Sequence, residues 1–131
     1  MIGLDTNVLV RYLTQDDEAQ ARKADAVIGG AVGRGQRCVI DPVVLCELVW
    51  VLRDAYGTAK SEIVTTLDRM LATQQFEITD KDRIREALDA YRAGRADFAD
   101  YVIGAANRHA GCAETVTFDR QLRGAADFRV L

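Results

Sequence analysis

Short apolar runs alternate along this chain with longer segments of helical periodicity. Five runs predict strands: Met1–Asp5, Arg37–Ile40, Phe76–Ile78, Thr115–Phe118 and Phe128–Leu131. The segments between them predict helices: 6–14, 16–32, 42–56, one that begins at Thr58 or Ser61, 80–93 and 97–109. Strands separated by helices favour a parallel sheet that is covered by helices on both faces. We therefore expect a three-layer α/β/α domain with a short-stranded, mainly parallel central sheet.

Length and composition favour a single intracellular domain. The chain has 131 residues, of which 49% are hydrophobic, and it contains no internal repeat or linker, so we expect one domain over residues 1–131. Its longest apolar stretch, Pro42–Leu52, is much shorter than the roughly 20 residues of a membrane span. Asp5, Thr6 and Asn7 interrupt what would be the apolar part of a signal peptide. The expected location is the cytoplasm, with no membrane partner.

Several classes of catalytic site are excluded by residue usage. The chain has a single histidine, His109, and a single serine, Ser61, which argues against a Ser-His-Asp system and a histidine-rich zinc site. Its three cysteines lack CxxC spacing and are expected to be small core residues. The net charge of −3 does not by itself predict a nucleic-acid-binding protein. An acidic chain is compatible with that function if some of its carboxylates surround a metal ion.

Two predicted strands end in an aspartate. Asp5 follows the first strand and Asp119 follows the strand Thr115–Phe118, with Thr117 two residues before it. Ligand sites of parallel α/β sheets lie beyond the carboxyl ends of the strands, which makes both aspartates candidate site residues. The alternative for each is a helix N-cap, a role in which aspartate is common.

A lone glutamate lies in the apolar helix that Asp41 and Pro42 begin. Glu47 is the only charged residue in PVVLCELVWVL, and its neighbours one turn away are apolar. Because an isolated buried carboxylate costs several kcal/mol, we expect Glu47 to be paired or bound to a cation. The alternative to a functional site is a buried ion pair with an arginine.

The segment ADFADYVIGAAN carries a polar stripe. Asp97, Asp100, Gly104 and Asn107 are spaced so that they follow one face of a helix whose other faces are mostly apolar. The stripe is either the solvated face of an ordinary helix or part of a site. Asp97 is also a candidate helix cap, so Asp100, which would point along the groove that Gly104 opens, is the better site candidate.

Together, four carboxylates indicate a metal site. Asp5, Glu47, Asp100 and Asp119 would repel one another if they shared a pocket, and a hard divalent cation removes that conflict. All-oxygen ligation favours Mg²⁺ or Mn²⁺. A cation of this kind activates water and offsets the charge of a scissile phosphate, so a phosphodiester is the expected substrate.

Four sequence blocks resemble those of PIN-domain ribonucleases, and most closely the bacterial toxins of VapC type. The blocks are LDTNVLVRYL, PVVLCELVWVL, ADFADYVIGAAN and ETVTFD, and the resemblance extends over the whole chain. It implies that Asp5, Glu47, Asp100 and Asp119 form the acidic quartet, with Asp5 and Asp100 as the principal metal ligands. Asp119 and Asp97 are additional candidate ligands, and Asn7 and Thr117 are candidate supporting groups.

The resemblance also implies an activity and partners. VapC-type toxins of type II toxin–antitoxin systems are Mg²⁺- or Mn²⁺-dependent ribonucleases that form homodimers. A small antitoxin protein inhibits them by inserting into the site, often with an arginine facing the carboxylates. The chain is accordingly expected to cleave RNA, to form a homodimer and to bind an antitoxin.

Three alternatives remain at this point. A receiver-type phosphorylation domain also gathers aspartates around Mg²⁺, but it needs a late lysine, and the last lysine here is Lys81. A haloacid-dehalogenase-type phosphatase needs an aspartate where Asn7 stands. A non-catalytic PIN-like domain that binds RNA or a partner is the third. Five arginines are candidates for RNA phosphate contacts, with a solvated surface role as the alternative for each: Arg11, Arg92, Arg95, Arg120 and Arg123.

Overall fold

Helices and parallel strands alternate along the chain, as the sequence pattern predicted. The structure, a computed structural model, describes residues 1–131. The chain divides into two compact units, residues 1–79 and residues 80–131. None of the helices has both the length and the hydropathy needed to cross a bilayer.

The first unit is built around a three-stranded parallel sheet. Its strands are β1 (Ile2–Gly3), β2 (Cys38–Ile40) and β3 (Phe76–Ile78). Its helices are α1 (Thr6–Thr14), α2 (Glu18–Gly33), α3 (Pro42–Asp54) and α4 (Lys60–Ala72). Strand β2 lies at the centre, with Cys38 opposite Ile2 of β1 and Phe76 of β3. Helix α1 packs against α2 and α3, and all four helices contribute buried side chains to the core of the unit.

The second unit pairs two helices with a two-stranded parallel sheet. Its helices are α5 (Lys81–Ala93) and α6 (Phe98–His109), and its strands are β4 (Thr115–Thr117) and β5 (Phe128–Val130). A single 3-10 turn, Arg120–Leu122, connects the two strands. Helix α5 packs along α6, and Leu88, Phe98 and Leu122 are among the fully buried side chains of the unit.

Aspartates begin most of the helices, as expected from the sequence, but they do so in two ways. Asp41 Oδ1 accepts a hydrogen bond from the Val43 N–H at 2.8 Å, and Pro42 occupies the first helical position. Asp80, which precedes α5, makes no such bond. Its backbone is left-handed, with φ of 55°, whereas a capping side chain reaches the helix amides from an extended backbone.

The observed helices and strands begin and end close to the predicted residues. The pairing of the strands differs from the predicted single sheet. Helix α1 and strand β3 have the predicted ends, and the other elements differ from them by one or a few residues. The pattern predicted one central sheet, whereas hydrogen bonding joins the strands into a sheet of three and a sheet of two. Composition is enough to predict a strand of two or three residues, but it does not determine which other strand pairs with it. Cys38 and Cys46 are buried, as predicted, but Cys112 is exposed because it lies in the loop after α6.

Candidate functional site

Asp5 lies just beyond β1 and caps α1. Its Oδ1 accepts a hydrogen bond from the Asn7 N–H at 2.8 Å. The helix-cap alternative is therefore realised, yet it uses only one carboxylate oxygen. The side chain is exposed, it has no cationic partner, and Oδ2 accepts no hydrogen bond. Asn7, a predicted supporting residue, contributes this bond through its backbone N–H.

Glu47 is exposed, which contradicts the burial expected from the sequence. Helix α3 buries Leu45, Leu48 and Val49 and turns Glu47 away from the core, with Val43 and Trp50 exposed on the same side. The prediction was wrong because a helix that is apolar nearly all round does not reveal which of its faces is covered. Glu47 also has no arginine or lysine partner, so the predicted ion-pair alternative is not realised either.

Thr6 connects the end of β1 to Glu47. Its Oγ1 donates a hydrogen bond to Glu47 Oε1 at 3.2 Å, and Thr6 is the only buried polar or charged residue of the chain. Sequence reasoning did not include Thr6 among the candidate site residues and missed this contact. The signal that was present is the threonine itself, a hydroxyl donor at the first position of α1, next to Asp5.

Asp97 and Asp100 form a capping box at the start of α6. The Asp97 N–H donates to Asp100 Oδ2 at 3.2 Å, and both side chains are half-buried. Burial raises the pKa of Asp100 above its ordinary value, and the nearby carboxylates of Asp119 and Asp97 raise it further, against the lowering effect of the Asp97 amide. The carboxylates of Asp97 and Asp119 thus act electrostatically on Asp100.

The sequence had suggested that Gly104 opens a groove beside Asp100, and this prediction was wrong. A Cβ at Gly104 would lie 2.7 Å from two atoms of the Phe128 ring, so the glycine makes room for that ring. Farther along the stripe, the Asn107 side-chain amide donates to Thr115 Oγ1 at 3.0 Å. The second half of the polar stripe therefore joins α6 to β4 and β5.

Asp119 repeats the arrangement of Asp5. It lies beyond β4, and its Oδ1 accepts a hydrogen bond from the Gln121 N–H at 2.9 Å. Thr117 Oγ1 accepts from the Asp119 N–H at 3.0 Å, so Thr117 holds the aspartate through its backbone. The Oδ2 atom of Asp119 accepts no hydrogen bond, and no cation is paired with it.

The four carboxylates of the predicted quartet share one pattern of bonding. Each uses a single oxygen to accept one hydrogen bond, and none forms a salt bridge, although the chain has seventeen lysines and arginines. Neither unit by itself places three or more His, Cys, Asp or Glu side chains close enough together to hold a metal ion. The oxygens without hydrogen bonds are nevertheless the hard donors that Mg²⁺ and Mn²⁺ prefer.

Comparison with known proteins identifies the family. The family model described as the PIN domain matches residues 2–127. A protein named VapC ribonuclease, from Aquifex aeolicus (strain VF5), is 25% identical over 120 residues, which cover 92% of this chain and 88% of that protein. No solved structure gives a significant match. The chain belongs to the PIN-domain family, as the resemblance of its acidic blocks predicted.

Proposed function

We propose that this chain is a VapC-type ribonuclease, the toxin of a type II toxin–antitoxin system, and that it hydrolyses RNA phosphodiester bonds with the help of a divalent cation. The family match and the relative named VapC ribonuclease support the class of enzyme. The observation that carries the proposed site is the bonding of the quartet. Each of its carboxylates keeps one oxygen without a hydrogen bond or a cationic partner.

Each residue of the quartet has a proposed role. Asp5 and Asp100 would hold the cation, with Asp119 and Asp97 as additional ligands. Glu47 completes the acidic set, and Thr6 fixes its orientation through the hydrogen bond to Oε1. Thr117 fixes Asp119 in the same way through the backbone. A carboxylate that a second group already holds in one orientation loses less conformational entropy when a ligand binds.

The donor set fits Mg²⁺ or Mn²⁺. It consists of carboxylates only, with no thiolate or imidazole that would favour zinc or copper. When bound, such a cation activates a water molecule and offsets the charge that develops on the scissile phosphate. The caps at Asp5 and Asp119 and the capping box at Asp100 hold these side chains without the ion.

The partners and the organisation of the chain belong to the same proposal. Residues 1–131 form one PIN domain, RNA is the substrate, and a small antitoxin protein covers the acidic site. The protein acts in the cytoplasm as a homodimer. Light scattering on the purified chain should then give a mass of about twice 14.4 kDa.

Cleavage by charge-neutral variants tests the site. Asp5→Asn and Asp100→Asn should each lower RNA cleavage by about 100-fold or more, at the lower end of what a catalytic group contributes. Both variants should remain folded: asparagine caps helices as aspartate does at position 5, and at position 100 its side-chain oxygen can still accept the hydrogen bond from the Asp97 N–H. The measurement is cleavage of labelled RNA with Mg²⁺ or Mn²⁺ by protein freed of antitoxin, with circular dichroism to check the fold.

Asp17→Asn is the matched control for these variants. Asp17 caps α2 by accepting a hydrogen bond from the Gln20 N–H at 3.0 Å, so its substitution removes the same charge from the same kind of cap. Its cleavage rate should stay near that of the wild type. Unchanged cleavage by both Asp5→Asn and Asp100→Asn would refute the site assignment. A wild-type protein that cleaves no RNA with either metal, and whose expression does not slow growth, would favour the non-catalytic alternative.

Membership of the PIN-domain family removes the other two alternatives. The family model covers residues 2–127, and therefore every residue on which the receiver-type and phosphatase-type interpretations depended.

A further inference from the structure

The second unit contains a cavity that the acidic site does not explain. Its volume is about 650 Å³, which is within the range of ligand sites in proteins. Three arginines line it, Arg95, Arg120 and Arg123, together with Tyr101, Gln121 and one carboxylate, Asp127. A surface this rich in guanidinium groups is suited to an anion.

The positive charge of this arginine cavity is not neutralised by the protein. None of its three arginines has a carboxylate partner, whereas Arg11 and Arg92, the other candidates for phosphate contact, form ion pairs at 2.9 and 3.2 Å. The carboxylate of Asp127 is itself paired with Arg108, at 3.3 Å. The three guanidinium groups therefore remain available to a ligand.

Well-packed elements hold the wall of the cavity. Arg120 begins the 3-10 turn that Asp119 caps, Arg123 follows the turn, and Leu122, between them, is fully buried. Next to Arg95, the Ala96 N–H donates to the Tyr101 hydroxyl at 3.2 Å. A site on such elements needs little reorganisation when an anion binds.

The cavity also adjoins Asp119. Gln121, which lines the cavity, donates its N–H to Asp119 Oδ1, and Asp119 acts electrostatically on Asp100. An RNA strand that reaches these aspartates meets repulsion between its phosphates and the carboxylates. Arginines at the next position along the strand offset that repulsion and fix the register of the strand.

We propose that the arginine cavity binds backbone phosphates of the RNA substrate, next to the phosphate that is cleaved. This inference rests on the proposed ribonuclease function. Guanidinium groups bind phosphate oxygens through paired hydrogen bonds and without reading the base, so the cavity positions the strand and leaves the choice of sequence to other contacts. An acidic segment of a protein partner is the competing occupant, and the test below separates the two.

The test compares two variants that lose the same charge. In the cavity variant, Arg95, Arg120 and Arg123 are replaced by glutamine. In the control variant, the replaced residues are Arg34, Arg69 and Arg85, which lie outside the cavity and also lack a carboxylate partner. Binding of a fluorescein-labelled single-stranded RNA of about ten nucleotides is measured by anisotropy, in EDTA so that no cleavage occurs, from about 50 to 200 mM salt.

The cavity variant should bind this RNA at least about tenfold more weakly, with a salt slope lower by about 2, because each lost phosphate contact lowers the slope by about 0.7. The control variant should stay within about twofold of the wild type. If the cavity variant does not fold, Arg120→Gln alone should lower the slope by about 0.7. Equal weakening of both variants, or of neither, overturns the proposal.

Three further outcomes separate this proposal from its competitor and from the proposed function. A cavity variant that binds RNA normally but no longer binds the antitoxin overturns it and assigns the cavity to an acidic protein segment. Because binding is measured without metal, a wild-type protein that binds RNA through these arginines but never cleaves it supports the cavity and refutes the nuclease. Normal cleavage together with normal RNA binding by the cavity variant refutes the cavity alone.

Discussion

A carboxylate has two oxygens, and the residues of the proposed quartet use them differently. One oxygen accepts a hydrogen bond from the same unit of the protein, and the other accepts none. For Asp5 and Asp119 the donor is the backbone of the following turn, so the bond also places the side chain at the end of its strand. In the proposed site, one aspartate thus begins a helical turn through one oxygen and keeps the other for the cation.

Thr6 is expected to be a positioning residue for Glu47. Thr6→Val keeps the shape of the side chain but removes the donor to Oε1, so kcat for RNA cleavage should fall by about 10-fold or more with little change in KM. Thr6→Ser restores the hydroxyl and should restore most of the rate. Steady-state cleavage kinetics of the two variants are the measurement. If Thr6→Ser is as slow as Thr6→Val, restoring the hydroxyl does not restore the rate, which contradicts the positioning role of the hydrogen bond.

At the level of single residues, the sequence predicted the candidate site residues better than it predicted their burial and their contacts. Asp5 and Asp119 lie at strand ends as predicted, since a polar residue after a short apolar run marks the end of the strand. The burial of Glu47 was predicted wrongly, and the partner of Thr6 was missed, because both depend on how α1 and α3 pack. A hydrogen bond between residues 6 and 47 has no periodicity that a sequence could display.

Among the helices, α5 and α6 meet where Gly94 ends the first of them. A Cβ at Gly94 would lie 1.9 Å from the Tyr101 hydroxyl oxygen and 2.9 Å from the Ala90 carbonyl oxygen. The Tyr101 ring stacks edge-on against Phe128, which occupies the space above Gly104. Two glycines thus admit two aromatic rings between α5, α6 and β5.

Gly94→Ala should therefore destabilise the protein. The added methyl group displaces the Tyr101 hydroxyl from the Ala96 N–H, and overpacking of this kind costs about 1–3 kcal/mol. Gly29→Ala is the control, because Gly29 lies within α2 with nothing within 4 Å, and alanine there should stabilise by about 1 kcal/mol. Urea unfolding followed by circular dichroism measures both. Equal stability of the two variants would contradict this account of the α5–α6 contact.

The positions of the helices and strands were the most predictable features of this protein. Apolar periodicity and the helix start at Asp41-Pro42 gave helix positions close to the observed ones. The glycines inside the packing were not predictable in the same way. Gly104 had suggested a groove, since the sequence shows that a side chain is missing but not that a ring from Phe128 takes its place.

Across the whole chain, the net charge does not show which charged residues are paired and which are not. The net charge is −3, yet many arginines are neutralised in ion pairs while three without partners line one cavity. Composition therefore could not show a phosphate-binding surface, because the pairing of charges is a property of the fold. The family, by contrast, was predictable from the sequence. Four blocks that each carry a residue of the quartet, in this order, identify the family even though no single block does.

Acid stability should depend on Asp16. Hydrogen bonds from the Tyr56 and Thr14 hydroxyls, together with Arg11, lower the pKa of Asp16 from 3.8 to about 2. A carboxyl whose pKa is lower in the folded state stabilises it above the unfolded pKa, and that contribution disappears as the pH falls through the folded value. The gap in stability between the wild type and Asp16→Asn should therefore be constant above about pH 4 and close toward about pH 2. Urea midpoints measured across this range test it.

Tyr56→Phe provides the second variant for this test. It removes the largest cause of the lowered pKa of Asp16, so its loss of stability should occur at higher pH than that of the wild type. A stability gap between the wild type and Asp16→Asn that does not change with pH would contradict the assignment.

The caps at Asp5 and Asp119 also affect how the gene can change. Asparagine serves as a cap as well as aspartate does, and the codons of the two residues differ by a single base. One transition in the DNA can therefore remove a proposed ligand while the protein still folds and still binds the proposed antitoxin. In a genetic selection for cells that survive expression of this chain, Asp-to-Asn changes at these strand ends should recur among full-length, abundant survivors.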